Sequence, residues 1–128
     1  MQNGKKRIGE LHAEHKEWLT ESSFYADELK IFGQRLAEVA QKNSKPEVTR
    51  QLEHFQNQFI IQKEQLDILN HDTKLHEQAL AHFAEEHPVA IDHRLFENHD
   101  EMLEKAASFK KLFGELKKDF NAFLSTTM

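Results

Sequence analysis

Residues 46–69 read PEVTRQLEHFQNQFIIQKEQLDIL, and within them Val48, Leu52, Phe55, Phe59, Gln62, Leu66 and Leu69 recur alternately four and three residues apart. The alternation continues through Thr73, His76, Leu80, Phe83 and His87. That spacing places every one of these side chains on one stripe of an α-helix, where it can pack between neighbouring helices. Two more tracts carry the same repeat. Upstream it runs through Ile8, Leu11, His15, Trp18, Ser22, Tyr25, Leu29, Phe32, Leu36 and Val39. Downstream it runs through Asp92, Leu95, His99, Met102, Ala106, Phe109, Phe113, Leu116, Phe120 and Phe123.

Two breaks divide the tracts. Asn43-Ser44-Lys45-Pro46 interrupts the first, with Ser44 suited to an N-cap and Pro46 to the first turn of a new helix. His87-Pro88 interrupts the second, because a residue before proline is pushed out of the helical region. The expected helices therefore cover about residues 5–42, 46–86 and 88–124, with the hydroxyl-rich tail beyond Leu124 fraying. Connections this short force neighbours antiparallel. The expected fold is all-α, an up-down-up bundle of three long helices forming one domain over residues 1–128. Gly33 and Gly114 lie inside helices beside the seam, where close helix approach is the expected reason for them.

Composition agrees with this and excludes several classes. Charged residues make up 30%, and ten Phe stand against only four Gly and two Pro, a helical composition too aromatic for disorder. The net charge of -5 argues against a nonspecific nucleic-acid binder, which needs a basic face. No apolar run approaches the roughly 20 residues that span a bilayer, and the residues after Lys5-Lys6-Arg7 are amphipathic rather than a signal-peptide core. We therefore expect a cytoplasmic protein with neither a nucleic-acid nor a membrane partner. With no cysteine, disulfides, thiolate catalysis and thiolate metal sites are ruled out. In the third helix, acids such as Asp100, Glu101 and Glu104 precede bases such as Lys110, Lys111, Lys117 and Lys118, which suits the helix dipole and needs no binding role.

Nine histidines mark the other informative feature. Counting equal distances outward from each turn sets His15 opposite position 74, between Thr73 and His76, and sets His76 opposite His99. One seam histidine from each helix is thus expected in a single layer, at the end of the bundle that also holds Ser22, His87 and Asp92. The other end is Leu29, Phe32, Leu36, Phe55, Phe59, Phe113, Phe120 and Phe123. A core histidine costs desolvation unless its nitrogens are bonded. Three solutions exist: a hydrogen-bonded layer using Thr73, Ser22 or water that fixes helix register; a divalent transition-metal site of His15, His76 and His99; or a proton-handling pocket. In the metal case His12, one position past Leu11, is a candidate fourth ligand, and Asp72, four residues before His76, a candidate partner orienting that ring. The remaining polar seam residue, Gln62, faces Tyr25, and a hydrogen bond between them is the simplest account.

Known metal-bundle spacings are missing. No glutamate stands three residues before a histidine, no two histidines are four apart, and the His-Glu-x-x-His spacing of zinc proteases does not occur. Phosphate loops and nucleophile elbows are also lacking, so no enzyme class is indicated. Ile61, Ile68 and Leu75 repeat every seven residues beside the second seam, making an extra apolar stripe suited to a homodimer or a helical protein partner. From residues alone, the chain reads as a structural or interaction bundle, with a histidine-ligated metal-binding bundle as the alternative.

Overall fold

The computed structural model describes residues 8–86 and 93–127, excepting the side chains at positions 84, 86 and 93–96. It contains α1 (Ile8–Lys42), α2 (Pro46–Glu86) and α3 (His93–Thr127), packed as an all-α three-helix bundle with no strand among the described residues. The expected starts of the first helix at Lys5 and of the third at Pro88 lie outside the described residues, as do His87 and Asp92.

At the first turn α2 begins at Pro46 as expected, but its N-cap differs. The Lys45 carbonyl accepts from the Thr49 amide at 3.0 Å and from the Thr49 hydroxyl at 3.2 Å, which makes Lys45, not Ser44, the N-cap. Pro46 is then the first helical residue, where its missing N–H costs nothing. The Asn43 side-chain amide donates to the Val39 carbonyl at 3.0 Å and so closes the end of α1.

The tail also departs from expectation. Helix α3 continues to Thr127 rather than fraying after Leu124. Ser125 donates its hydroxyl to the Ala122 carbonyl, and both Thr126 and Thr127 donate to the Phe123 carbonyl, at 2.7–2.9 Å. These hydroxyls serve the last-turn carbonyls that a helix otherwise leaves unpaired.

The seam residues fill the core, and the end near the first turn is built from aromatic rings. Phe120 is fully buried, and its ring centroid lies 5.2 Å from Phe32, 5.2 Å from Phe55 and 4.9 Å from Phe59. These are the tilted and edge-on contacts that aromatic quadrupoles favour. Toward the middle, Tyr25 packs edge-on to Phe109 and Phe113, and Trp18 edge-on to Phe109. This overturns the expected Gln62–Tyr25 hydrogen bond. Tyr25 is turned toward α3, and Oε1 of Gln62 is buried without a partner. Burial raises the Tyr25 phenol above its ordinary value, with Lys110 opposing.

The glycine expectation also fails. A Cβ built on Gly33 or on Gly114 meets nothing within 4 Å, so neither position serves close helix approach. The lysines of α3 do more than match the helix dipole. Lys110 reaches Glu21 at 2.6 Å and, one heptad later, Lys117 reaches Glu28 at 2.7 Å, tying the parallel helices α1 and α3 along their shared edge. The bond to Glu21 raises the Lys110 pKa. Both pairs are substantially exposed, so each is worth only about 0–1 kcal/mol.

Candidate metal centre

The seam repeat of all three helices becomes polar at one level. There α1 supplies His15, α2 supplies His76 and α3 supplies His99, and one heptad away on the seam stand Ile8 and Ser22, Leu69 and Phe83, and Asp92 and Ala106 respectively. His15 and His99 are fully buried, and His76 is half-buried. Ring centroids lie 4.8 Å apart for His15 and His76, 4.9 Å for His15 and His99, and 5.9 Å for His76 and His99. Leu11, one turn before His15, and Leu80, one turn after His76, are buried on the outer side of the layer.

Carboxylates at the edges of the seam orient two of the rings. Nδ1–H of His15 donates to Oε1 of Glu77 at 2.6 Å, and Nε2–H of His99 donates to Oε1 of Glu14 at 3.0 Å. An ionised carboxylate only accepts, so these contacts fix the proton on the outer nitrogen of each ring. The inner nitrogens, Nε2 of His15 and Nδ1 of His99, then face each other at 3.1 Å. Two inward lone pairs at that distance call for a proton or a cation between them. Nε2 of His76 is buried with no hydrogen-bond partner. One nitrogen from each of the three rings lies within 4.8 Å of the other two.

The electrostatics follow from this crowding. Burial, reinforced by His15 and then His99, lowers the His76 pKa from 6.5 to about 4, while Glu77 works in the opposite direction. For Glu77, burial acts to raise the pKa, but the hydrogen bonds from His15 and His12 outweigh it and hold the carboxyl below its ordinary value. At neutral pH the layer therefore presents a neutral His76 beside a charged Glu77.

The other candidates sit differently. Nδ1 of His12 hydrogen-bonds Oε2 of Glu77, so His12 buttresses the carboxylate from outside and stands apart from the three clustered rings. Its position three residues before His15 brings its ring out at the shoulder of α1, where it is about half exposed. Asp72 is exposed, and no hydrogen bond joins it to His76, whose Nε2 is turned inward. Thr73 and Ser22 do not serve the histidines either. Each donates its hydroxyl back to its own helix, Thr73 to the Leu69 carbonyl and Ser22 to the Leu19 carbonyl. Glu14 and Glu77 were the residues that seam reasoning missed. Each is the immediate neighbour of a seam histidine, at the flanking position from which a long side chain reaches the adjacent helix.

Ile61, Ile68 and Leu75 lie on the outer face of α2, 45%, 55% and 51% exposed. His54 and His82, at the same heptad position, are exposed as well. No described helix is long and apolar enough to cross a membrane. Compared with known proteins, the chain matches no family model, no curated protein and no solved structure.

Proposed function

We propose that this protein is a metal-binding helical bundle in which His15, His76 and His99 hold one divalent transition-metal ion. The observation that supports it is the convergence of three buried imidazoles, one per helix, with ligand nitrogens within 4.8 Å of one another. Metal–nitrogen bonds of 2.0–2.1 Å at tetrahedral angles require nitrogens roughly 3.3 Å apart. The 3.1 Å pair of His15 and His99 is already close to this, so metal uptake requires mainly a closer approach of the His76 nitrogen, now within 4.8 Å of the other two. The Glu77–His15 and Glu14–His99 contacts match the pattern in which a ligating histidine donates its second N–H to a carboxylate. Three imidazoles without thiolate suit zinc, cobalt, nickel or copper rather than calcium or magnesium.

Elemental analysis of the purified protein, followed by zinc titration, tests the proposal. One equivalent is expected for the wild type and none for His76→Ala. A protein that takes up no metal and whose melting temperature ignores chelators leaves a purely hydrogen-bonded layer instead.

A second reading concerns association. Three aliphatic side chains one heptad apart on the exposed face of α2 favour burial against a second copy, a two-fold pairing being the simplest arrangement. Sedimentation is expected to show a dimer that Ile68→Lys converts to a monomer without loss of helicity. A wild type that stays monomeric at high concentration refutes it.

A further inference from the structure

The three sides of the bundle are not alike at the level of the histidines. On the side between α1 and α2, Glu77 bridges His15 and His12. On the side between α1 and α3, Glu14 crosses to His99. The side between α2 and α3 instead carries a cleft, and His76, the one ring of the three that is not fully buried, forms part of its wall. The cleft is lined by Leu69, Leu75, Ala79 and Met102 together with the polar groups of Asn98 and Lys105.

Building on the metal reading above, we infer that the ion keeps a fourth, exchangeable coordination position opening through the α2–α3 cleft, and that this position takes a small singly charged anion. Three imidazoles leave a tetrahedral ion one position short, the arrangement found where a metal does chemistry rather than only holding a fold. Glu77 and Glu14 bind the outer nitrogens of His15 and His99, from the two bridged sides. The Lys105 ammonium and the Asn98 amide supply N–H donors along the path a ligand would take. Asp72 and Glu101 border the same cleft, so a multiply charged anion is repelled while a monoanion is tolerated.

The test uses the full chain loaded with cobalt(II), whose visible absorption reports coordination, and azide as the probe. Azide is expected to change the spectrum saturably. Ala79→Phe places a bulky ring at an exposed position in the cleft, so it should weaken the azide response at least about tenfold, equivalent to about 1.4 kcal/mol, while cobalt affinity stays unchanged. Lys105→Met provides a second variant with the same expected direction and a smaller size. Cobalt uptake with an azide-insensitive spectrum overturns the open position and leaves the metal reading intact. An azide response that both variants retain in full overturns the cleft as its route. Failure to take up cobalt at all overturns the metal reading, and this inference with it.

Discussion

The two ends of this bundle use one heptad grammar for opposite purposes. Near the first turn, Phe32, Phe55, Phe59, Phe113, Phe120 and Phe123 meet through non-directional burial and tilted ring contacts. At the far end, His15, His76 and His99 occupy equivalent seam positions but bring nitrogens that must each find a partner. The aromatic end is complete within its own seam. The histidine end draws on residues beside the seam, Glu14 and Glu77, and still leaves Nε2 of His76 buried and unpaired. A polar core layer is therefore a property of seam and flank together, and its unfilled capacity is what points to a ligand.

The sharpest way to break this comparison is to damage each end in its own currency. Phe120→Ala removes a fully buried ring from the aromatic end. It should cost about 3–5 kcal/mol in denaturant unfolding, the usual penalty for emptying such a site. The loss should be the same at pH 8 and pH 6, because the rings Phe120 packs against, Phe32, Phe55, Phe59 and Phe123, carry no titratable group. A loss below 1 kcal/mol would mean that the aromatic end is not the packed core described.

At the histidine end a smaller chemical change should have a more specific consequence. Glu77→Gln keeps the shape of the side chain but removes the charge that both His15 and His12 contact. Metal affinity should fall by about 10- to 100-fold, as it does when a partner orienting a ligand is lost. The helical content should be unchanged. Equal affinity in the variant and the wild type would show that Glu77 has no part in presenting His15.

How much of this was legible in the residues follows the same division. The three helices, the first turn and the meeting of His15, His76 and His99 follow from periodicity and short connections, because a heptad seam constrains every position at once. The partners of the layer do not follow, because flanking glutamates occur all along these helices and only three-dimensional reach distinguishes Glu14 and Glu77 from the rest. The same limit explains the Gln62 expectation: register set Tyr25 opposite it, but the ring could turn toward either neighbour and turned to the aromatic side chains of α3. Gly33 and Gly114 misled for a related reason. Lying beside a seam does not make a position part of an interface, and both face open space. The helical tail was missed because Ser125, Thr126 and Thr127 read as poor helix formers, whereas here their hydroxyls bond the last-turn carbonyls.

The central claim is that His76 stays neutral in the folded chain and joins His15 and His99 in holding metal, and thermal unfolding from pH 8 to pH 5, with and without zinc, tests it most directly. The folded His76 pKa is lowered from 6.5 to about 4, by burial and by His15 and His99 against the pull of Glu77. Below pH 6.5 the unfolded chain therefore takes up a proton that the folded chain refuses. This contribution to stability is present above pH 6.5 and declines as the pH falls from there toward 4. Zinc should raise the melting temperature at pH 7–8, and that increment should shrink below about pH 6.5, where protons compete for the same nitrogens. His76→Ala should lose both the zinc increment and the part of the acid decline due to this residue. A melting temperature that is flat from pH 8 to pH 5, indifferent to zinc and unchanged by His76→Ala, would contradict the account.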